Sequence, residues 1–323
     1  MNKIFMSKLL QLRIRPKTSY LTPLHSDIIF GHLCWEVLYR WGEVVLADFL
    51  HGFMSSPPFL LSDGFPEEKF PRLLTNLDFG REKVNKIDIA EEIRQTKKYK
   101  NIKYISKSSI KKFQDGLSID DFYVLRDETI IRSRKAVSKK LIGKNVIDRQ
   151  TNTTMDGGVF DQEEVFSRVE YWSVYWKVMN DDFWNKYEIQ KLVESMFLKG
   201  FGAKKSTGKG VFELFGEQCW EEKTDWETKQ TGYSLLLSHA ILRGDERMIL
   251  NKSFYDLGVK YGKLGESMSH NSNPFKKPII QLLPGSVLAT GKEYVGGMVN
   301  LSSSFERAVD FQYGLLLSIN LPK

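Results

Sequence analysis

"LKGFGAKKSTGKGVFEL", Leu198–Leu214, sets four glycines and four lysines between two apolar stretches. The segment before it reads as a helix. Asp181 is a capping type, and Trp184, Ile189, Leu192, Val193, Met196 and Phe197 recur at helical spacing. Gly200 stands where a left-handed residue would end that helix. Val211–Phe215, on the far side of the loop, reads as a strand. A P-loop runs the other way, from strand into helix, and its spacing also fails here. Five residues, not four, separate Gly202 from Gly208-Lys209, and Gly210 comes next where Ser or Thr is required. A structural turn accounts for Gly200 alone. A backbone nest for RNA phosphates uses the whole loop: glycines let N–H groups approach the anion, lysines add charge, and Ser206 and Thr207 add hydroxyl donors.

Working outward, Lys8–Arg15 alternates with period two, with Leu10, Leu12 and Ile14 on one face, and reads as a half-buried strand. "TPLHSD" punctuates, and Ile28 to about Leu46 has helical apolar spacing. Phe59–Leu61 is a short strand. Arg168–Met179 alternates again, with Trp172, Val174, Trp176 and Val178 sharing a face and read as core. The order is therefore a ferredoxin-like β-α-β-β-α-β unit over residues 1–216. It is interrupted at about 75–166 by a charged insertion read as loops and a hairpin without a core of its own. A polar linker covers 216–232, and residues 231–323 read as a second α+β domain, also expected to be ferredoxin-like. The fold class is thus α+β, with two such domains and a large basic insertion in the first.

The chain has 323 residues, long enough for two domains, and a net charge of +7. Between Arg81 and Gln150, 19 Lys and Arg stand against 10 Asp and Glu, so the basic excess lies in that middle segment, with the glycine loop adding to it. That is the footprint of a phosphate-backbone binder, or else a solvated lysine face. No run reaches the ~18 apolar residues of a membrane span. The basic, apolar N-terminus alternates and is followed by no small-residue cleavage site, so no signal peptide is read and the cytoplasm is the expected compartment. Cys34 and Cys219 have neither metal-ligand nor disulfide spacing. No cofactor, metal or membrane is expected.

The stretch "GFGAKKSTGKGVF" resembles the glycine-rich loop of the RAMP superfamily of CRISPR proteins, with Phe201 inside the first Gly-x-Gly pair as in that pattern and Lys209 departing from it in the second. "TPLHSDIIFGHLCW" (Thr22–Trp35), "NVIDRQTNTT" (Asn145–Thr154) and "NPFKKPIIQLLPGSVL" (Asn273–Leu288) resemble, in order, the first-helix entry, the inserted thumb and the C-terminal signature of one subfamily. That subfamily is the Cas5-like cap subunit, the fourth subunit of the Csm complex, the type III-A CRISPR effector. The resemblance implies a non-catalytic protein that grips the repeat-derived 5′ handle of the guide RNA (crRNA). It would join the large Cas10-type subunit to the backbone filament in antiviral defence, meeting target RNA only indirectly.

On that model Gly202, Lys204, Lys205, Ser206, Thr207, Gly208 and Lys209 line the handle, because single-stranded RNA is held by basic groups while its bases are splayed out. The thumb supplies Lys144, Asn145, Arg149 and Thr151. Arg149 has a surface salt bridge to Asp148 or Asp156 as its other reading. Arg132 and Arg134 are further phosphate candidates. Phe275 and Lys276, between two prolines, either stack and clamp a base or dock a protein neighbour. His25, with Ser26, has three readings: RNA contact at a helix N-terminus, plain capping, or the general base of a metal-independent, guide-processing endoribonuclease. The last needs a partner acid, and none is visible at a telling spacing. Asp27 is read as a cap. His32 and His239 are read as packing residues.

Overall fold

The computed structural model describes residues 7–75, 86–224, 232–270, 273–301 and 309–322. Parts of the insertion (76–85) and of the polar linker (225–231) lie outside them. In chain order the regular elements begin with β1 (Lys8–Pro16), α1 (Ser26–His51), β2 (Phe59–Pro66) and β3 (Lys69–Pro71). The insertion continues as α2 (Lys86–Lys100), β4 (Tyr104–Ser106), α3 (Lys107–Asp115), α4 (Ile119–Arg132), β5 (Val137–Ile147) and β6 (Thr154–Ser167). Then come β7 (Trp172–Val178), α5 (Asp181–Lys186), α6 (Ile189–Lys199), β8 (Phe212–Leu214) and β9 (Trp220–Glu222). The remainder is β10 (Tyr233–Leu236), β11 (Leu257–Lys260), β12 (Ile279–Leu282), β13 (Val287–Leu288), β14 (Tyr294–Asn300) and β15 (Val309–Ile319).

The main sheet has the order β2-β7-β1-β8, and each neighbouring pair is antiparallel. The strand β9, inside the stretch read as linker, pairs with β1 at Leu10–Leu12, on the edge that β8 occupies at Ile14–Pro16. Six of the seven residues of β7 are buried, so Ser173 and Tyr175 are as enclosed as the Trp172/Trp176 face. That is a strand covered on both sides, not the half-buried ribbon that alternation suggests. The apolar helix positions pack as expected, but α1 contains a non-helical Gly42, and the second helix breaks at Glu188. Its first segment is capped by Asn180, whose carboxamide oxygen accepts the Phe183 N–H, with Asp181 already inside the helix.

The insertion is more than loops. Tyr99, Ile105, Ile110, Phe113 and Phe122, from α2, β4, α3 and α4, are buried in the same core as the main sheet. Arg126, almost fully buried, is held by Glu92 and Asp127. The strands β5 and β6, one long hairpin, stand largely exposed.

The C-terminal part differs from the α+β expectation. Its four-stranded antiparallel sheet, β13-β10-β15-β14, is joined by strands and 3-10 turns, with no α-helix among the described residues 232–322. It does not need one, because α1, α3 and β2 of the first part cover β15. Phe311 stacks on Phe30 at 4.7 Å, and the Tyr313 hydroxyl donates to the Phe53 carbonyl. The larger core runs through both sheets as one cluster. No helix among the described residues is long and apolar enough to cross a membrane.

Candidate nucleic-acid interface

The glycine loop leaves α6 at Gly200, which takes positive φ and ends the helix. Phe201 then turns inward and is fully buried, packed on His32, Phe197 and Phe212. Gly210 closes the loop. Its backbone is left-handed (φ +69°), and a Cβ there would overlap the Phe201 carbonyl oxygen. The Phe201 N–H donates to the Gly210 carbonyl at 2.7 Å, and the Gly210 N–H donates to the Ser19 carbonyl at 2.9 Å. The Gly202 N–H donates to His32 Nε2, and the Ala203 N–H to Thr22 Oγ1. The N–H groups of Thr207, Gly208 and Lys209 turn back to the carbonyls of Lys204 and Lys205.

The expectation of an open nest of glycine N–H groups is therefore corrected. Most of those donors are spent on holding the loop's shape, as buried or semi-buried backbone groups must be. What the loop presents is its tip, a 3-10 turn at Lys205–Thr207 preceded by a left-handed Lys204. Lys204, Ser206, Thr207 and Gly208 are exposed, and Lys205 is half-buried.

Lys209 is corrected too. Its Nζ lies 2.7 Å from Glu164 Oε2 and 2.9 Å from Ser19 Oγ, and the Ser19 hydroxyl donates to that same carboxylate oxygen. Lys144 Nζ stands 3.2 Å from the other oxygen. The bond from Lys209, with that from Ser19, holds the Glu164 carboxyl down at about 2. This cluster fastens the glycine loop to the base of the hairpin, and Tyr20 adds a backbone bridge to Val165. The structure thus brings together the loop tip, the 18–22 segment and Lys144.

The outer thumb residues stand clear of that junction. Asn145 donates to Thr154 Oγ1, and Thr151 bonds Thr153, both at the exposed far end of the hairpin. Arg149 is exposed there and forms no ion pair among the described residues. Arg132, the last residue of α4, and Arg134, just past it, are exposed on another side of the hairpin base. Phe275 is exposed, with Lys263 Nζ 5.9 Å from its ring centre. Lys276 instead turns inward to Asp310, at 2.9 Å from both oxygens, so the expected Phe–Lys clamp loses its cation.

His25 and Ser26 lie elsewhere, at the seam between the two sheets. Ser26 is fully buried, and its N–H donates to Asp63 Oδ1 at 2.9 Å, which removes it from any RNA surface. His25 is the N-cap residue by backbone but makes no side-chain cap bond. Its ring lies 4.1 Å from that of His239, whose Nδ1 is 2.7 Å from Asp63 Oδ2. The loop's histidine neighbour is His32, not His25. Burial pushes the His25 pKa down. In His239 burial works the same way but the Asp63 carboxylate outweighs it, and the pKa rises. Burial opposes ionisation of Asp63, yet His239, His25 and the Ser26 N–H hold its pKa at about 2. Asp27 is not a cap but pairs with Lys260 of β11. The ligand atoms of His25, Asp63 and His239 fall within 4.8 Å of one another, the one trio among the described residues spaced for a metal. Its tilted rings, 36° apart, and the Asp63–His239 ion pair are those of a salt-bridged seam. Burial also raises the Cys34 thiol pKa, leaving an inert packing residue. No sequence spacing points to the Asp63–His239 pair, and none points to Glu164 as the partner of Lys209.

Two kinds of likeness bear on this arrangement. The RAMP superfamily model matches residues 8–213. A comparison with curated proteins found no match. Among solved structures, one of a Csm1-Csm4 cassette in complex with pppApA is similar over 98% of this chain and 100% of that chain, with a TM-score of 0.60 at 14% identity. A Csm3-Csm4 subcomplex of the type III-A CRISPR-Cas interference complex gives 0.59 at 15% identity, over 97% and 100%. The fold is thus shared along nearly the whole chain, from the glycine loop to the C-terminal sheet. With the family model covering the sheet, the hairpin and the loop together, this chain belongs to the RAMP superfamily.

Proposed function

We propose that this chain is a crRNA-binding cap subunit of a type III-A CRISPR effector. It holds the repeat-derived 5′ handle, bridges a large Cas10-type subunit to the backbone filament, works in the cytoplasm and does not itself cleave RNA. The order β2-β7-β1-β8, with a helical crossover on each side, supports the ferredoxin-like reading of the first unit. The observation that carries the proposal is the junction at Glu164. There the loop tip, with Lys204, Ser206 and Thr207 exposed, and the lysine-bearing first strand of the hairpin are held side by side on the core. Single-stranded RNA is gripped in this way, by fixed basic and hydroxyl groups along its backbone. The resemblance to chains in Csm1-Csm4 and Csm3-Csm4 assemblies supports the choice of neighbours.

The test is binding of labelled repeat RNA to the purified chain. Lys204→Ala with Lys205→Ala is expected to weaken affinity and flatten the salt dependence by about 0.7 log units per lost phosphate contact. Unchanged affinity and slope would remove the loop from the interface. The same RNA in EDTA is expected to stay intact. Site-specific cleavage that His25→Ala abolishes would instead establish the endoribonuclease reading.

A further inference from the structure

A second basic feature lies on the other side of the hairpin base. A cleft of about 700 Å³ opens between β4, α3, α4 and the start of β5. Six of the cationic side chains that line it have no acidic partner among the described residues: Lys103, Lys112, Arg132, Arg134, Lys135 and Arg168. All six are exposed, and Arg134 bonds only to the carbonyls of Ile131 and Ser133. The only acidic group in the lining is Glu128. The floor is apolar, built from the buried Ile105, Leu125 and Ala136. Six like charges around one cavity repel one another, and a polyanion relieves that repulsion.

The hairpin joins this cleft to the glycine-loop junction. Lys140 is the cross-strand partner of Glu164, the residue that Lys209 grips, and the adjacent Lys139 lines the cleft. Successive residues of a strand face opposite sides. The two basic surfaces are therefore the two faces of one hairpin base.

We propose that the cleft is a second RNA subsite. It takes a short single-stranded segment continuous with the one on the glycine loop, phosphates on the cationic rim and bases or riboses against the apolar floor, so that the strand wraps the hairpin base. The volume is that of a small-ligand pocket (~300–1,000 Å³) and excludes a duplex. The subsite rests on the RNA-binding function proposed for the chain.

The experiment uses the full chain and a single-stranded repeat RNA carrying 4-thiouridine, read by anisotropy and by photo-crosslink mapping. Lys112→Ala with Arg168→Ala is expected to raise the Kd about tenfold and to lower the salt slope by roughly 1.4, two contacts at ~0.7 each. In the unmodified chain, crosslinks are expected in residues 103–112 or 132–139. Should the variant fail to fold by circular dichroism, the crosslink map decides alone. RNA binding that responds to the loop substitutions but not to these, with no crosslink in the cleft, overturns the subsite and leaves the proposed function standing. RNA affinity retained with loss of a neighbouring subunit would make the cleft a protein dock and also overturn it. Absence of RNA binding by the unmodified chain defeats the functional reading, and the subsite with it.

Discussion

The glycine loop and the β5–β6 hairpin share a role in the proposed interface and are built on opposite principles. The loop is a short excursion pinned at both ends. Phe201 is buried among aromatic rings, and Gly210 and Ala203 bond to the 18–22 segment. The hairpin is two long strands held only near their base, with Leu141, Ile147 and Val159 each more than half exposed. In sequence the lysine-rich loop and the basic first strand of the hairpin both look like solvent-facing RNA elements. The structure separates them. In the loop the residues that shape the protein lie within a few positions of those that present the ligand surface, whereas along the hairpin the two groups are most of a strand apart. Damage to the loop should therefore cost stability first, and damage to the hairpin tip should cost binding alone.

The sharpest break of that contrast is Gly210→Ala. The added Cβ has no room against the Phe201 carbonyl, and the backbone is left-handed. A loss of ~3 kcal/mol or more is expected in denaturant unfolding, from overlap and strain together. A near-neutral result would show that the loop is not pinned.

Next in size is Glu164→Gln, expected to cost about 2 kcal/mol. That is below the ~3–5 of a fully buried pair, because Lys209 keeps some access to water. The sign of its pH dependence comes from the lowered carboxyl. The pair contributes above the ordinary glutamate range, near 4.5, and its contribution is lost as pH falls toward about 2. The Gln variant should show a correspondingly flatter acid limb in thermal melts between pH 5 and 2.

Gly208→Ala should cost only about 1 kcal/mol. Its backbone is also left-handed, but nothing stands within 4 Å of the new methyl group. The gap between Gly210 and Gly208 thus measures close packing apart from backbone freedom. Smallest of all is Arg149→Ala at the hairpin tip, expected within ~0.5 kcal/mol in stability because its side chain is exposed and has no ion pair among the described residues. A measurable weakening of RNA binding with unchanged melting would confirm the division of labour.

Much of this was legible in the sequence for a physical reason. The main sheet is coded by strong local patterns: alternation in Lys8–Pro16, the aromatic run of β7, and helical spacing in α1 and α6. The position of the glycine loop came from its flanks. The insertion's helices were missed because few of their residues face the core. In α3 only Ser109, Ile110 and Phe113 are buried, amid lysines that dominate any composition reading. The absence of helices from the described C-terminal part was hidden because its cover comes from α1 and α3, far away in sequence. The same distance hid the seam, since Asp63 and His239 meet only after both sheets pack. Nor does anything local mark Glu164 as the acid that occupies Lys209. A charged residue's partner is a tertiary fact, and it decides whether a lysine meets phosphate or protein.

The most direct test of the central claim is crosslink mapping of the guide's 5′ handle in a complex assembled with the full chain. The account predicts adducts at the Lys204–Thr207 tip and on the hairpin at Lys144, whose side chain reaches back to Glu164. Handle adducts confined to the segment around Phe275, or none on this chain, would contradict it.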